Sequence, residues 1–75
     1  MRKATRFSRT TFGRAVRRER EKLGLSQEDF AERANVHRTY ISSIELGKVS
    51  VGIEVANELA EALRMPLSHL VRLAE

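Results

Sequence analysis

Apolar residues return at helical spacing in successive stretches of the chain, each bounded by a residue type that starts or stops a helix. Phe12, Val16 and Leu23, with Ala15 beside them, form the first stripe, while Arg14, Arg17, Arg18 and Glu21 fall on other faces. This pattern predicts a helix from Thr10 or Thr11, either of which can cap the first turn, to about Lys22, with Gly24 as its C-terminal stop. Residues 1–9, with Phe7 among basic side chains, read as a flexible basic arm.

Leu25 precedes Ser26-Gln27-Glu28-Asp29. The Ser26 hydroxyl can accept a free N–H of a new helix, Asp29 can reciprocate as a variant capping box, and Leu25 can pack on Phe30 as a hydrophobic staple. The second helix carries Phe30, Ala31 and Ala34 inward and ends near Ala34. Asn35 tolerates left-handed backbone geometry, so residues 34–37 form a tight turn with Val36 directed back to the core. A third helix, about Arg38 to Leu46, turns Ile41 and Ile44 inward, leaves Tyr40 at the margin, and is stopped by Gly47. The fourth runs from about Gly52 to Leu63 with Val55 or Ala56, Leu59, Ala60 and Leu63 on its apolar stripe. Pro66 opens a last short helix holding Leu67, Leu70, Val71 and Leu73. The expected fold is all-α, a compact five-helix orthogonal bundle in one domain over residues 10–75, and its signature is the short turn between helices two and three.

A domain of 75 residues buries only about 60% of its unfolded surface, so its core is marginal and burial against a partner would help it. With no cysteine, neither disulfides nor thiolate metal sites can staple it. The apolar runs are far shorter than the roughly 20 residues of a membrane helix, and no signal-peptide core follows Met1, which predicts a cytoplasmic protein without a membrane partner. Charge is unevenly placed: residues 1–22 hold nine Lys or Arg against two Glu, whereas the rest hold five basic and eight acidic residues. A positive field concentrated at one end suits a polyanion and equally suits a solvated tail.

Catalysis finds little support, because no nucleophile is paired with a base and an orienting group, and neither a glycine-rich phosphate loop nor paired carboxylates are evident. His37 and His69 are solitary, which argues against a zinc site, and no cofactor is expected.

The segments Leu23-Gly-Leu-Ser-Gln-Glu-Asp-Phe-Ala31 and Val36-His-Arg-Thr-Tyr-Ile-Ser-Ser-Ile-Glu-Leu-Gly-Lys48 closely resemble the Cro/C1-type, or XRE, helix-turn-helix family. The resemblance extends over roughly Phe12 to Leu73, and within the family is strongest to restriction-modification controller proteins and to small phage or plasmid repressors. It implies a lambda-repressor-like DNA-binding domain, dimerised through its C-terminal helices on a pseudo-palindromic operator, that regulates transcription.

A helix in the major groove reads base edges through the side chains exposed near its start, here Arg38, Thr39, Ser42 and Ser43. Arg38 suits a bidentate pair with guanine or, as the plainer alternative, a phosphate. Thr39 offers a methyl and a hydroxyl, and the two serines permit close approach. The family places base readers at the positions of Arg38, Thr39 and Ser43. Gln27, in the first turn of helix two, suits a phosphate, as do Lys48 and Ser50 beyond the recognition helix. Tyr40 either donates to the DNA backbone or packs at the core margin. His37 is a weaker cap than Asp, Ser or Thr and serves as a turn residue, touches phosphate or lies near the bases. Arg20 and Glu45 match a pair in the family that orients helix one against the recognition helix, with an Arg nitrogen left for a phosphate. Arg2, Lys3, Arg6 and Arg9 suit phosphates or a narrow minor groove. Met65, Leu67, Leu70 and Leu73, with Ala74, are candidates for the dimer seam. Glu54, Glu58 and Glu61 on helix four are candidates for a surface facing RNA polymerase. The competing reading is a protein-interaction or antitoxin-like module. Against it, the exposed face beside Arg38 is polar and lacks the aromatic anchors a protein partner would use. RNA is a poorer target, because its A-form major groove does not admit a helix.

Overall fold

Ser8 rather than Thr10 or Thr11 starts the first helix. Its hydroxyl accepts the Thr11 N–H at 3.2 Å while the Thr11 hydroxyl accepts the Ser8 N–H at 2.9 Å, a reciprocal capping box. In the computed structural model, which describes residues 7–75, α1 therefore spans Arg9–Lys22 and places Arg9 in its first turn, outside the expected arm. The remaining helices are α2 (Gln27–Ala34), α3 (Arg38–Glu45), α4 (Ile53–Ala62) and α5 (Leu67–Leu73). Arg2, Lys3 and Arg6 lie outside the described residues.

A residue at positive φ turns the chain after each of the first four helices, and α1, α2 and α3 open on a side-chain cap, whereas α4 and α5 do not. Gly24 (φ 71°) follows α1, and Ser26 accepts the Asp29 N–H at 3.0 Å to begin α2, although the reciprocal Asp29 contact does not form. Asn35 (φ 60°) turns the chain out of α2, and the Val36 N–H returns to the Ala31 carbonyl at 3.0 Å. Gly47 ends α3, while Arg64, at φ 64°, takes the position after α4 that a glycine usually holds.

Phe12, Val16, Phe30, Ile41, Ile44, Leu59 and Leu70 are buried together, so every helix contributes a large side chain to one core. The helix α1 packs on α3 and α5, and α2 packs on α3 and α4. The Arg18 guanidinium donates to the Leu73 carbonyl at 3.3 Å and ties α1 to the end of α5. Two expectations for the core are corrected. Leu23 is half-exposed, because α1 ends at Lys22 and the chain turns away at that residue. Leu70, expected at a dimer seam, is fully buried beneath α5 within the protomer and has no surface to offer a second copy. Met65, Leu67 and Leu73 are only partly buried. No helix among the described residues is long and apolar enough to cross a membrane.

Candidate nucleic-acid interface

The division of α3 into two faces follows from its sequence. Ile41 and Ile44, three residues apart, are buried, and Arg38 and Thr39 are exposed on the opposite side, with Ser42 and Ser43 half-exposed beside them. The structure thus gathers all four expected base readers on one exposed helical surface. Tyr40 packs its ring partly against the core. Lys48 and Ser50 are exposed in the loop that follows, which the Lys48 N–H anchors to the Ser43 carbonyl at 3.0 Å.

A buried polar cluster fixes α3 relative to α1 and α2. The Arg20 Nε and Nη2 donate to the two Glu45 carboxylate oxygens at 2.6 and 3.0 Å, and Nη1 donates to the Leu25 carbonyl at 2.7 Å. The fork geometry of arginine makes this a bidentate, charge-assisted pair. Glu45 holds the Arg20 guanidinium above its ordinary range, against the opposing effect of burial. Three of the five Arg20 N–H groups are therefore engaged within the protein, two have no hydrogen bond there, and the residue is 8% exposed. Its geometry is that of an internal bracket between the end of α1, the start of α2 and the end of α3.

Gln27 belongs to the same cluster. Its amide donates to Glu45 Oε1 at 3.1 Å, a contact that sequence reasoning did not anticipate. An amide nitrogen carries two hydrogens, so one remains beside the first-turn N–H groups of α2, where the expected phosphate would sit. The clamp expected at Gln27 is accordingly anchored to the last residue of the recognition helix.

His37 caps α3. Its Nδ1 lies 3.3 Å from the Thr39 backbone nitrogen, which donates to it, and 2.6 Å from the Thr39 hydroxyl oxygen. Arg9 stands at the start of α1 and is exposed. Among the described residues no cluster of His, Asp or Glu is arranged to hold a metal ion.

Comparison with known proteins agrees with this geometry. A family model described as helix-turn-helix matches residues 16–70. Control protein C.MunI of a Mycoplasma species is 42% identical over 60 residues, which cover 79% of this chain and 81% of that protein. The crystal structure of the restriction-modification controller protein C.AhdI from Aeromonas hydrophila is 32% identical, with a TM-score of 0.80 over 83% of this chain and 94% of that one. The clp gene regulator ClgR from Corynebacterium glutamicum is 27% identical, with a TM-score of 0.84 over 88% of this chain and 70% of that one. On its sequence match and on the two helices that Asn35 and His37 join, the chain belongs to the helix-turn-helix family.

Proposed function

We propose that this protein is a sequence-specific DNA-binding regulator of transcription, of the restriction-modification controller kind, that acts as a homodimer on a pseudo-palindromic operator. The observation that carries this reading is the exposed face of α3, where Arg38 and Thr39 stand free of the core on a helix whose other side is locked by Ile41 and Ile44. A helix so held enters a major groove with its first turn toward the bases. Arg38, Thr39, Ser42 and Ser43 read base edges, while Gln27, Lys48 and Ser50 hold phosphates on either side. The likeness to named control proteins supports the controller assignment.

Dimerisation uses the apolar cleft between the start of α1 and helices α4 and α5. Phe7, Val51, Ile53, Leu67 and Val71 line it, and Ile53 is 75% exposed. In a protein this small, an exposed isoleucine at the lip of an apolar cleft is well explained by a symmetric partner. Such a dimer would work in the cytoplasm. For activation, the exposed Glu54, Glu58 and Glu61 of α4 face RNA polymerase. Changing all three to Gln is expected to abolish activation in a transcription assay and to leave operator binding intact; retained activation removes this surface from the proposal.

The direct test is selection of preferred duplexes from a random DNA library at about 0.15 M salt. Recovery of a pseudo-palindrome with half-sites about 34 Å apart, one helical turn, is the expected result. Recovery of no preferred sequence would overturn the reading in favour of a protein-interaction module.

A further inference from the structure

The contact between His37 and Thr39 constrains what the recognition helix can read. Two groups of Thr39 converge on one nitrogen of the imidazole, the backbone N–H at 3.3 Å and the hydroxyl at 2.6 Å. The tautomer follows from the company this nitrogen keeps. A hydrogen on Nδ1 would face the Thr39 N–H donor, at the helix end where the aligned peptide dipoles are positive. Nδ1 therefore presents its lone pair, and the ring hydrogen sits on Nε2. The Thr39 hydroxyl then has one way to make its short contact, which is to donate its only hydrogen to Nδ1. The lone pairs left on Thr39 Oγ1 can accept and nothing remains to donate. His37 and Thr39 are both exposed, so the polarised hydroxyl is open to whatever the helix docks on.

We propose that His37 is a specificity-determining residue: by holding the Thr39 hydroxyl hydrogen, it converts Thr39 into an obligate acceptor that selects an amino-bearing base. In the major groove adenine N6 and cytosine N4 donate, whereas guanine O6 and thymine O4 accept. At the nucleotide that Thr39 addresses, adenine or cytosine is therefore preferred and guanine or thymine disfavoured, because the latter would set two acceptors against each other in a dehydrated interface. Arg38, one residue away, has only donors to offer, so the first turn of α3 presents a donor followed by an acceptor. This inference rests on the proposal that α3 reads DNA and adds the hydrogen-bond polarity of one position.

The experiment repeats the duplex selection with the parent protein and with His37→Ala, His37→Asp and Thr39→Val. The parent is expected to favour adenine or cytosine over guanine or thymine about fivefold at one position of each half-site, the factor that corresponds to about one hydrogen bond. Thr39→Val identifies that position by erasing the preference there, and it leaves the backbone cap in place. His37→Ala, which frees the hydroxyl to donate or accept, is expected to lose the same preference and to keep those set by Arg38. His37→Asp, which restores an acceptor at the cap, is expected to retain it. Preferences are ratios measured on one protein, so a uniform loss of stability does not move them. An unchanged preference in His37→Ala overturns the proposal, as does a parent preference for guanine or thymine at that position, or a Thr39→Val selection identical to the parent's. Failure of the parent to enrich any sequence overturns this proposal together with the DNA-reading function, which separates the two.

Discussion

Gly13 of α1 lies against the backbone of Ile44 in α3 so closely that a β-carbon there would overlap the Ile44 carbonyl oxygen. The recognition helix is thus seated directly on the backbone of α1, at a point where only hydrogen fits. Alanine at position 13 would gain up to about 1 kcal/mol of helix propensity. The overlap involves backbone on both sides and cannot be relieved by a rotamer, and overpacking of this kind costs typically about 1–3 kcal/mol. Gly13→Ala is therefore expected to be net destabilising in urea unfolding. It should also weaken binding beyond the loss of folded protein, since α3 must shift to accommodate the methyl. A variant as stable as the parent would show that the two helices are not held at this distance.

The buried pair of Arg20 and Glu45 should behave asymmetrically under mutation. Removal of one partner leaves an uncompensated charge, at a cost of about 3–5 kcal/mol, whereas replacement of both by apolar residues of similar size is often neutral. Glu45→Gln and Arg20→Met are each expected to lower the unfolding midpoint sharply, and Arg20→Met with Glu45→Leu to recover most of it. Because Arg20 brackets three helices, Arg20→Ala should weaken all DNA sequences about equally when affinities are compared across operators. A loss confined to one operator would instead make Arg20 a reader.

Much of this arrangement was legible in the sequence, and the failures have identifiable causes. Helical periodicity located all five helices, and the chemistry of Ser26, Asn35 and Gly47 placed their ends within a residue or two. That Arg38, Thr39, Ser42 and Ser43 share the outward side of α3 followed from the inward placement of Ile41 and Ile44. Periodicity does not say whether an apolar residue on the last helix faces inward or toward a partner, which is why Leu70 was expected at the seam. Nor does it place charged groups inside. Glu19 is buried, with Lys22 Nζ and Arg18 Nε at 3.3 and 3.5 Å from its carboxylate, on a turn that reads as polar. The close approach at Gly13 had no signal except the glycine itself, in the middle of a helix where it costs stability. The bond from Gln27 to Glu45 spans 18 residues of sequence and could be found only once α2 and α3 were set against each other.

Base reading and phosphate holding predict different signatures. Arg38→Ala is expected to lose about 1–3 kcal/mol of discrimination at one operator position while its affinity for unrelated DNA changes little. Lys48→Ala should weaken every sequence alike and reduce the log–log dependence of affinity on salt by about 0.9, the value for one phosphate contact. Neutralising Arg2, Lys3 and Arg6 should reduce the same slope by about 0.9 for each residue that meets a phosphate, and an unchanged slope would remove the arm from the interface. Binding isotherms at several salt concentrations, on one operator and one scrambled duplex, measure all of these together. A uniform loss for Arg38→Ala would reassign it to the phosphates.

The dimer face can be tested at a residue that does nothing for the protomer. Ile53 begins α4 and is 75% exposed, so an aspartate there removes no core contact, and a negative charge in the first turn of a helix is compatible with its dipole. In a symmetric seam, however, it would bring two carboxylates together in apolar surroundings formed by Val51, Leu67 and Val71 of both copies. Ile53→Asp is therefore expected to keep its helical circular dichroism and to sediment as a monomer at tens of micromolar, where the parent sediments as a dimer. Its affinity should fall on a two-half-site operator much more than on a single half-site, because the linkage between the two recognition helices is what is lost. A parent that remains monomeric with and without operator would refute the dimer. An Ile53→Asp variant that still dimerises would move the seam to another face, with Met65 and Leu73, both partly exposed, as the residues to change next.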